Sequence, residues 1–141
     1  MLLYSITELS VFGAYDRGVP NQERIIIYAN ETVNLGQYGL MIGMRLADGT
    51  AFPLRDTLLW FGDGILNEGD WLLVYTGPGQ ARATELPNSQ GMLYTVHWGR
   101  LQTFLNDQNF VPVLFRVDAV CIKPPEAFAA LLDGEQSGQS P

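Results

Sequence analysis

Apolar residues alternate with polar ones, or form short runs, in several segments of the chain, as expected of β-strands. Residues 39–46 (GLMIGMRL) and 92–98 (MLYTVHW) alternate, whereas residues 57–61 (TLLWF) and 70–76 (DWLLVYT) are apolar runs of strand length. Glycine, proline and asparagine separate these segments and favour turns. Many short strands between such turns predict an all-β protein, built as a sandwich or a barrel.

The alternation also predicts which side of the late strands faces the core. Residues 92–98 place Trp98 on the predicted core face and His97 on the opposite, solvent face. In residues 112–122 (PVLFRVDAVCI), Arg116 marks the outer face. The predicted core face of this segment consists of Val113, Phe115, Val117, Ala119 and Cys121.

Helix signals are few. Residues 101–107 (LQTFLND) predict a helical turn or two. Residues 124–134 (PPEAFAALLDG) predict a short C-terminal helix, because proline opens the segment, helix formers follow and glycine ends it. The polar residues 135–141 predict a disordered tail. We therefore expect one β-sandwich domain over residues 1–123, followed by this helix and tail.

The charge balance narrows the classes of partner. The 141 residues are 47% hydrophobic and 16% charged, which is typical of a globular domain. With 8 Lys+Arg against 15 Asp+Glu, the formal net charge is −7. Nucleic acids and anionic membranes are bound by basic patches, so we expect neither as a partner.

Terminal and cysteine patterns indicate the compartment. The first residues (MLLYSITELS) have no positively charged region, so they do not predict a secretory signal. No apolar run is long enough for a membrane-spanning helix. The single cysteine, Cys121, rules out an intrachain disulfide and a cysteine-based metal cluster. We expect a cytoplasmic protein without a cofactor, or an extracellular one if a leader was removed.

An acidic, glycine-rich stretch at residues 60–79 (WFGDGILNEGDWLLVYTGPG) is the first candidate site. Counted from Asp63, an EF-hand calcium loop would need oxygen ligands where Ile65 and Leu66 stand. Residues 67–69 (NEG) instead suit a tight turn, with the glycine at a positive φ. We therefore predict a turn between two strands and no metal site.

Five segments occur in an order that carries a resemblance: ITEL (6–9), ERIIIYANETVNLGQYGL (23–40), FP (52–53), LNEGDWLLVY (66–75) and VLFRVDAV (113–120). Their order and spacing over residues 6–122 resemble the lamin tail domain. The resemblance implies an immunoglobulin-like β-sandwich without catalytic residues, which serves as an interaction or tethering module. Because this domain fills nearly the whole sequence, its partner would be reached in trans.

The only histidine, His97, is the remaining candidate for catalysis. A cysteine–histidine enzyme is not expected, because Cys121 is predicted to lie on the core face, where a thiol is inert. A serine nucleophile would need a GxSxG turn, which the sequence lacks. An uncharacterised hydrolase remains an alternative if His97 and Arg100 converge with an acid from residues 63–70.

Loops provide the candidate binding residues. Residues 76–91 (TGPGQARATELPNSQG) are predicted to form a long, structureless loop, and long loops on rigid sandwiches often carry binding sites. If the loop at residues 14–23 lies at the same end of the sandwich, the two would form a joint surface. The predicted binding residues are Arg82, Glu85, Trp98 and Arg100.

We therefore predict a non-enzymatic module that binds a protein partner or assembles with itself. A carbohydrate-binding module is an alternative, because three tryptophans and six tyrosines can stack on sugars. An exposed row of Trp60, Trp71 and Trp98 would favour that alternative. A small-molecule ligand also remains open, and the sequence does not identify any partner.

Overall fold

A computed structural model describes residues 5–123 of the chain. Within this range the strands, in chain order, are β1 (Leu9–Tyr15), β2 (Arg24–Ala29), β3 (Val33–Asn34), β4 (Tyr38–Arg45), β5 (Ala51–Pro53), β6 (Leu59–Trp60), β7 (Ile65–Leu66), β8 (Trp71–Tyr75), β9 (Arg82–Glu85), β10 (Met92–His97) and β11 (Phe110–Arg116). Short 3-10 turns span Leu35–Gln37 and Pro87–Ser89. The helix predicted at 124–134 and the tail predicted at 135–141 lie outside the described residues. None of the helical turns in residues 5–123 has the length and hydropathy needed to cross a membrane.

The strands form two main sheets, which confirms the all-β prediction. The first sheet has five strands in the order β1-β2-β8-β10-β9. The second has the order β11-β4-β5, with β6 also paired to β4, and β3 and β7 form a short separate ladder. All of these pairs are antiparallel except β8 and β10, which run parallel.

The two main sheets pack against each other around one apolar core. The core residues that are at most 1% exposed include Ile25 and Ile27 of β2, Leu40 and Ile42 of β4, and Leu72 and Val74 of β8. Within each strand they stand two positions apart, so the alternation in the sequence decides which face is buried. Tyr94, Val96 and Trp98 pack against this core, as the alternation in residues 92–98 predicts.

Strand β11 faces the opposite way from the prediction. Leu114 packs against the core and is paired with the fully buried Leu40. The neighbouring Phe115 lies against Gly39, on the other side of β4. The odd-numbered residues of segment 112–122 therefore do not form its core face. Because β11 is apolar at both sets of alternate positions, its pattern alone cannot select the buried side.

Arg116, which the alternation predicts on the outer face of β11, forms ion pairs in the fold. The guanidinium of Arg116 lies 2.7 Å from the carboxylate of Glu8, and it is also 3.3 Å from Asp118. This pairing allows Arg116 to lie on the same side of the strand as Leu114. The strand ends at Arg116, and Cys121 is exposed, so its predicted place in the core is also wrong.

Residues 76–91 are not a structureless loop. Parallel neighbours such as β8 and β10 cannot be joined by a tight turn, so the chain needs a long return path between them. Along this path, Arg82–Glu85 forms β9, which pairs with β10 at the edge of the five-stranded sheet. The length of the segment thus follows from the sheet topology.

Residues 101–107 contain no helix, and their backbone is bound by Glu23 instead. The Glu23 side chain is completely buried. It accepts four hydrogen bonds of 2.7–3.0 Å, from the N–H groups of Gly18, Phe104 and Leu105 and from the hydroxyl of Thr76. Glu23 thereby joins the loop before β2, the end of β8 and the segment that leads to β11.

Candidate functional site

The four predicted binding residues do not share one surface. Arg82 and Glu85 stand three positions apart on β9, so their side chains leave opposite faces of the strand. Trp98 packs against the core, with its ring 5.0 Å from that of Phe104. The guanidinium of Arg100 lies 5.0 Å from the same Phe104 ring. Of the four, only Arg82 lies in the cleft described below.

The loops at residues 14–23 and 76–91 meet at the same end of the molecule. A Cβ atom on Gly77 would lie 3.1 Å from the side-chain oxygen of Asn21. The N–H group of Gly99 also donates to the carbonyl of Gly77, at 3.1 Å. Asn21 of the first loop and Arg82 of the second segment both line the cleft described below.

The five-stranded sheet has an outer face, which points away from the core and is largely apolar. Cross-strand pairing arranges this face in three rows over β2, β8 and β10: Tyr28-Trp71-Leu93, Ile26-Leu73-Thr95 and Arg24-Tyr75-His97. The solvated face of a sheet ordinarily carries polar residues. Aromatic and aliphatic side chains in their place are typical of an interaction surface.

Three rings form an aromatic cluster, defined as Phe12, Tyr28 and Trp71, at one end of the outer face. Tyr28 and Trp71 have ring centroids 4.6 Å apart, and Phe12 lies 5.3 Å from Trp71. The β1–β2 register shifts between Val11 and Gly13, and such bulges redirect side chains. Phe12 lies at this bulge and is 54% exposed, so it is the accessible member of the cluster.

A cleft of about 360 Å³ begins at the opposite end of the outer face, at Tyr75 and His97, and extends along β10 to Leu93. We call it the histidine cleft, and its polar lining consists of Asn21, Tyr75, Arg82, Thr84, Thr95 and His97. The rings of Tyr75 and His97 are stacked, with centroids 5.3 Å apart and planes 19° from parallel. The outer face thus combines an aromatic cluster with a polar cleft.

The acidic stretch of residues 60–79 forms a turn, as predicted. The N–H group of Asp70 donates to the carbonyl of Asn67 at 2.9 Å, and Gly69 has a φ of 90°. The buried Asp70 carboxylate accepts from the N–H groups of Asn67 and Met92, each at 2.9 Å. The described residues 5–123 hold no group of three His, Cys, Asp or Glu side chains suited to a metal ion.

The side chains required by the hydrolase alternative, which are His97, Arg100 and an acid such as Asp70, do not lie close together. Asp70 precedes β8, whereas His97 is paired with Tyr75 at the other end of that strand. Arg100 is turned away to donate to the carbonyl of Asp56. The structure therefore does not bring these three side chains to a shared cleft.

The three tryptophans do not form a row. Trp71 lies on the outer face of the five-stranded sheet, whereas Trp60 belongs to β6 of the other sheet and donates to the carbonyl of Gly36. Trp98 packs against the core. Each tryptophan thus lies in a different part of the fold, so the arrangement that would favour a sugar-stacking row is not formed.

A charged network connects Glu8, the residue before β1, to strands β4 and β11 of the second sheet. The Tyr38 hydroxyl and the Arg116 guanidinium both donate to Glu8, at 2.7 Å each. The Tyr38 hydrogen bond, together with the smaller effect of Arg116, lowers the pKa of the Glu8 carboxyl from 4.5 to about 2. Burial, followed by the Glu8 carboxylate, raises the pKa of Tyr38 from 10.0 to about 12. The network connects the first sheet to β4 and β11.

The lowered pKa of Glu8 predicts a pH-dependent contribution to stability. Ionised Glu8 should stabilise the fold fully above pH 4.5, and this contribution should be lost as the pH falls toward 2. Because Arg116 is partly exposed, we expect a contribution of only about 1 kcal/mol. Urea unfolding should show that Glu8→Gln is less stable than wild type above pH 4.5, with a gap that closes toward pH 2. Glu31→Gln, an exposed control, should show no such gap; a gap for Glu8→Gln that does not change with pH would contradict the assignment.

Sequence reasoning missed the aromatic cluster and most of the histidine cleft. A signal for the outer face was present, because β2 (RIIIYA) and β8 (WLLVY) are apolar at both sets of alternate positions. A strand that is apolar on both faces is typical of sheets whose second face is covered by another layer or by a partner. The cleft depends on cross-strand neighbours, which a single sequence does not reveal.

Comparisons of the chain with protein-family models, curated proteins and solved structures return no match. The outer face therefore has to be interpreted from its own contacts and chemistry.

Proposed function

We propose that the protein is a non-enzymatic interaction module, an immunoglobulin-like sandwich resembling lamin tail domains, which binds a protein partner through its outer face. The observation that carries this proposal is the aromatic cluster, with Phe12 54% exposed beside Trp71. Aromatic side chains and arginine dominate the binding energy of protein interfaces. The outer face supplies both, since Arg82 lies on the edge strand next to it.

The tilt of the rings favours a protein partner over a glycan. A sugar ring stacks on a flat aromatic surface, or on several rings that are nearly coplanar. In the aromatic cluster, the ring planes are inclined to one another by 45°, 58° and 88°. Such a cluster forms an uneven apolar surface, which suits the side chains of a protein.

Charge favours a partner of different sequence over a second copy. The chain has a net charge of −7, so two copies repel each other at long range. The outer-face cation Arg24 is already paired with Asp16, at 2.5 Å. Arg82 forms no ion pair with residues 5–123 and would pair best with a carboxylate that the partner supplies.

Selection from a library of random linear peptides displayed on phage tests this function. The selected peptides should bind the wild-type protein, and Phe12→Ser should weaken their binding about tenfold. Phe52→Ser is the matched control, because Phe52 is 64% exposed on β5 of the other sheet, and it should leave the affinity unchanged. Amide chemical shifts should change in β1, β2 and β8 on peptide binding.

Three results would contradict the proposal. Equal effects of the two serine variants would show that the outer face is not the binding surface. Binding to a glycan array that depends on Phe12 would favour the carbohydrate-binding alternative instead. Sedimentation that shows a dimer lost in Phe12→Ser would favour self-assembly.

A further inference from the structure

The histidine cleft holds its imidazole ring in a fixed position. The ring of His97 stacks on Tyr75 on one side. Gly79 also lies against this ring, because an added Cβ atom there would collide with Cε1, Nδ1 and Nε2 of His97. The ring therefore has two close neighbours, the ring of Tyr75 and a glycine that has no side chain. Such confinement orients the polar atoms of a site before a ligand arrives.

The two ring nitrogens of His97 have different surroundings. Nδ1 is buried and has no hydrogen-bond partner among the described residues. An unpaired buried N–H group is rarer and costlier than an unpaired acceptor, so these surroundings favour the tautomer of the neutral ring with its proton on Nε2. Because Nδ1 is sealed off, Nε2 is the nitrogen left to donate a hydrogen bond to a ligand.

A cation lies within reach of this donor. Arg82 is paired with Thr95 across the β9–β10 ladder, and His97 is two positions further along the same face. Diagonal neighbours of this kind are about 7–8 Å apart, a distance that one ligand group between two long side chains can bridge. In residues 5–123, the Arg82 guanidinium takes part in none of the ion pairs.

The remaining lining limits the size and chemistry of the ligand. The cleft of about 360 Å³ is at the small end for binding sites and fits one amino-acid residue. The side chains of Leu73 and Leu93 add apolar surface, and those of Thr84 and Thr95 add hydroxyl groups. The planar fork of a guanidinium matches the two oxygens of a carboxylate.

We infer that the histidine cleft binds a carboxylate through Arg82 and Nε2 of His97, with apolar atoms of the same ligand against Leu73 and Leu93. This inference rests on the proposed function, because it names the group through which the partner is anchored at this end of the outer face. The carboxylate belongs either to a chain terminus or to an acidic side chain of the partner.

Nuclear magnetic resonance of the full chain tests the inference directly, because His97 is the only histidine. N-acetyl-leucine presents a terminal carboxylate, N-acetyl-glutamic acid α-amide presents a side-chain carboxylate, and N-acetyl-leucinamide presents none. At least one of the two acids should shift the His97 imidazole ¹⁵N signals saturably, and the tighter one identifies the source. The leucinamide should bind at least about tenfold more weakly, since it lacks the charged acceptor.

Substitutions locate the carboxylate. Arg82→Gln should raise the dissociation constant about tenfold, whereas Arg82→Lys should retain part of the affinity. Arg45→Gln removes an exposed arginine from β4 of the other sheet and should have no effect. Both glutamine variants alter exposed side chains, so folding should be preserved.

Some results would overturn the inference. These are equal binding of acid and amide, equal effects of Arg82→Gln and Arg45→Gln, an Nδ1–H tautomer in the neutral ring, or no saturable shift with either acid. If peptides still bind in a way that depends on Phe12, only the carboxylate site fails. If that dependence is also absent, the proposed function itself fails.

Discussion

Replacing Glu23 by alanine should lower the free energy of unfolding by about 3–5 kcal/mol, a large part of the stability of a small domain. Oε1 of Glu23 accepts from Gly18 and Leu105, and Oε2 accepts from Phe104 and Thr76. Alanine would leave three backbone N–H groups and one hydroxyl without an acceptor in a buried site. It would also open a cavity, since Glu23 is fully buried.

Two further variants make this prediction specific. Glu23→Gln keeps the size of the side chain but turns an NH₂ group toward donors, so about 2 kcal/mol should still be lost. Glu31→Ala removes an exposed glutamate and should change the free energy of unfolding by less than about 0.5 kcal/mol. Urea denaturation measures all three. If Glu23→Ala were as mild as Glu31→Ala, the four hydrogen bonds would not hold these segments together.

Hydrophobic alternation correctly predicted the buried face of strands that have one apolar and one more polar face. In β10, Tyr94 and Val96 contact the core and His97 lies on the outer face, as the period of two requires. The turn before β8 was predictable from local chemistry, because Gly69 supplies a positive φ where the chain reverses. These features depend on residues that are close in sequence.

Features that depend on distant residues were missed or wrongly predicted. The facing of β11 depends on whether Arg116 has a partner, and that partner, Glu8, is at the other end of the chain. The burial of Glu23 depends on donors in residues 101–107, which the sequence predicts as a helical turn. In both cases a charged side chain is satisfied by groups that only the fold brings near.

The candidate site also combines features that the local sequence predicts with features that depend on the fold. Arg82 was predicted as a binding residue because it lies in a long segment between two strands, but the sequence did not explain why that segment is long. The segment is long because β8 and β10 are parallel, and it contains an edge strand. The register of that strand then places Arg82 beside Thr95 and close to His97. No local pattern in the sequence specifies this register.

The second large effect is expected at Gly39, where alanine should cost about 3 kcal/mol. A Cβ atom here would collide with the carbonyl oxygen of Leu59 and with the ring of Phe115. The carbonyl belongs to the backbone of β6, which is paired with β4 at this point, so it cannot rotate away. Gly64→Ala is the matched control, because an added Cβ atom there meets nothing within 4 Å, and its stability should equal that of wild type.

A double-mutant cycle separates the contribution of the ring from that of the backbone. Phe115→Leu shortens the side chain that covers Gly39, so the combined variant Gly39→Ala/Phe115→Leu should recover about 1 kcal/mol relative to additivity. The remaining cost should reflect the contact with the Leu59 carbonyl, which the second substitution leaves in place. If the two changes were strictly additive in urea unfolding, Phe115 would not lie over Gly39. In that case the contact that places Phe115 on the side of β4 away from the core would be wrong.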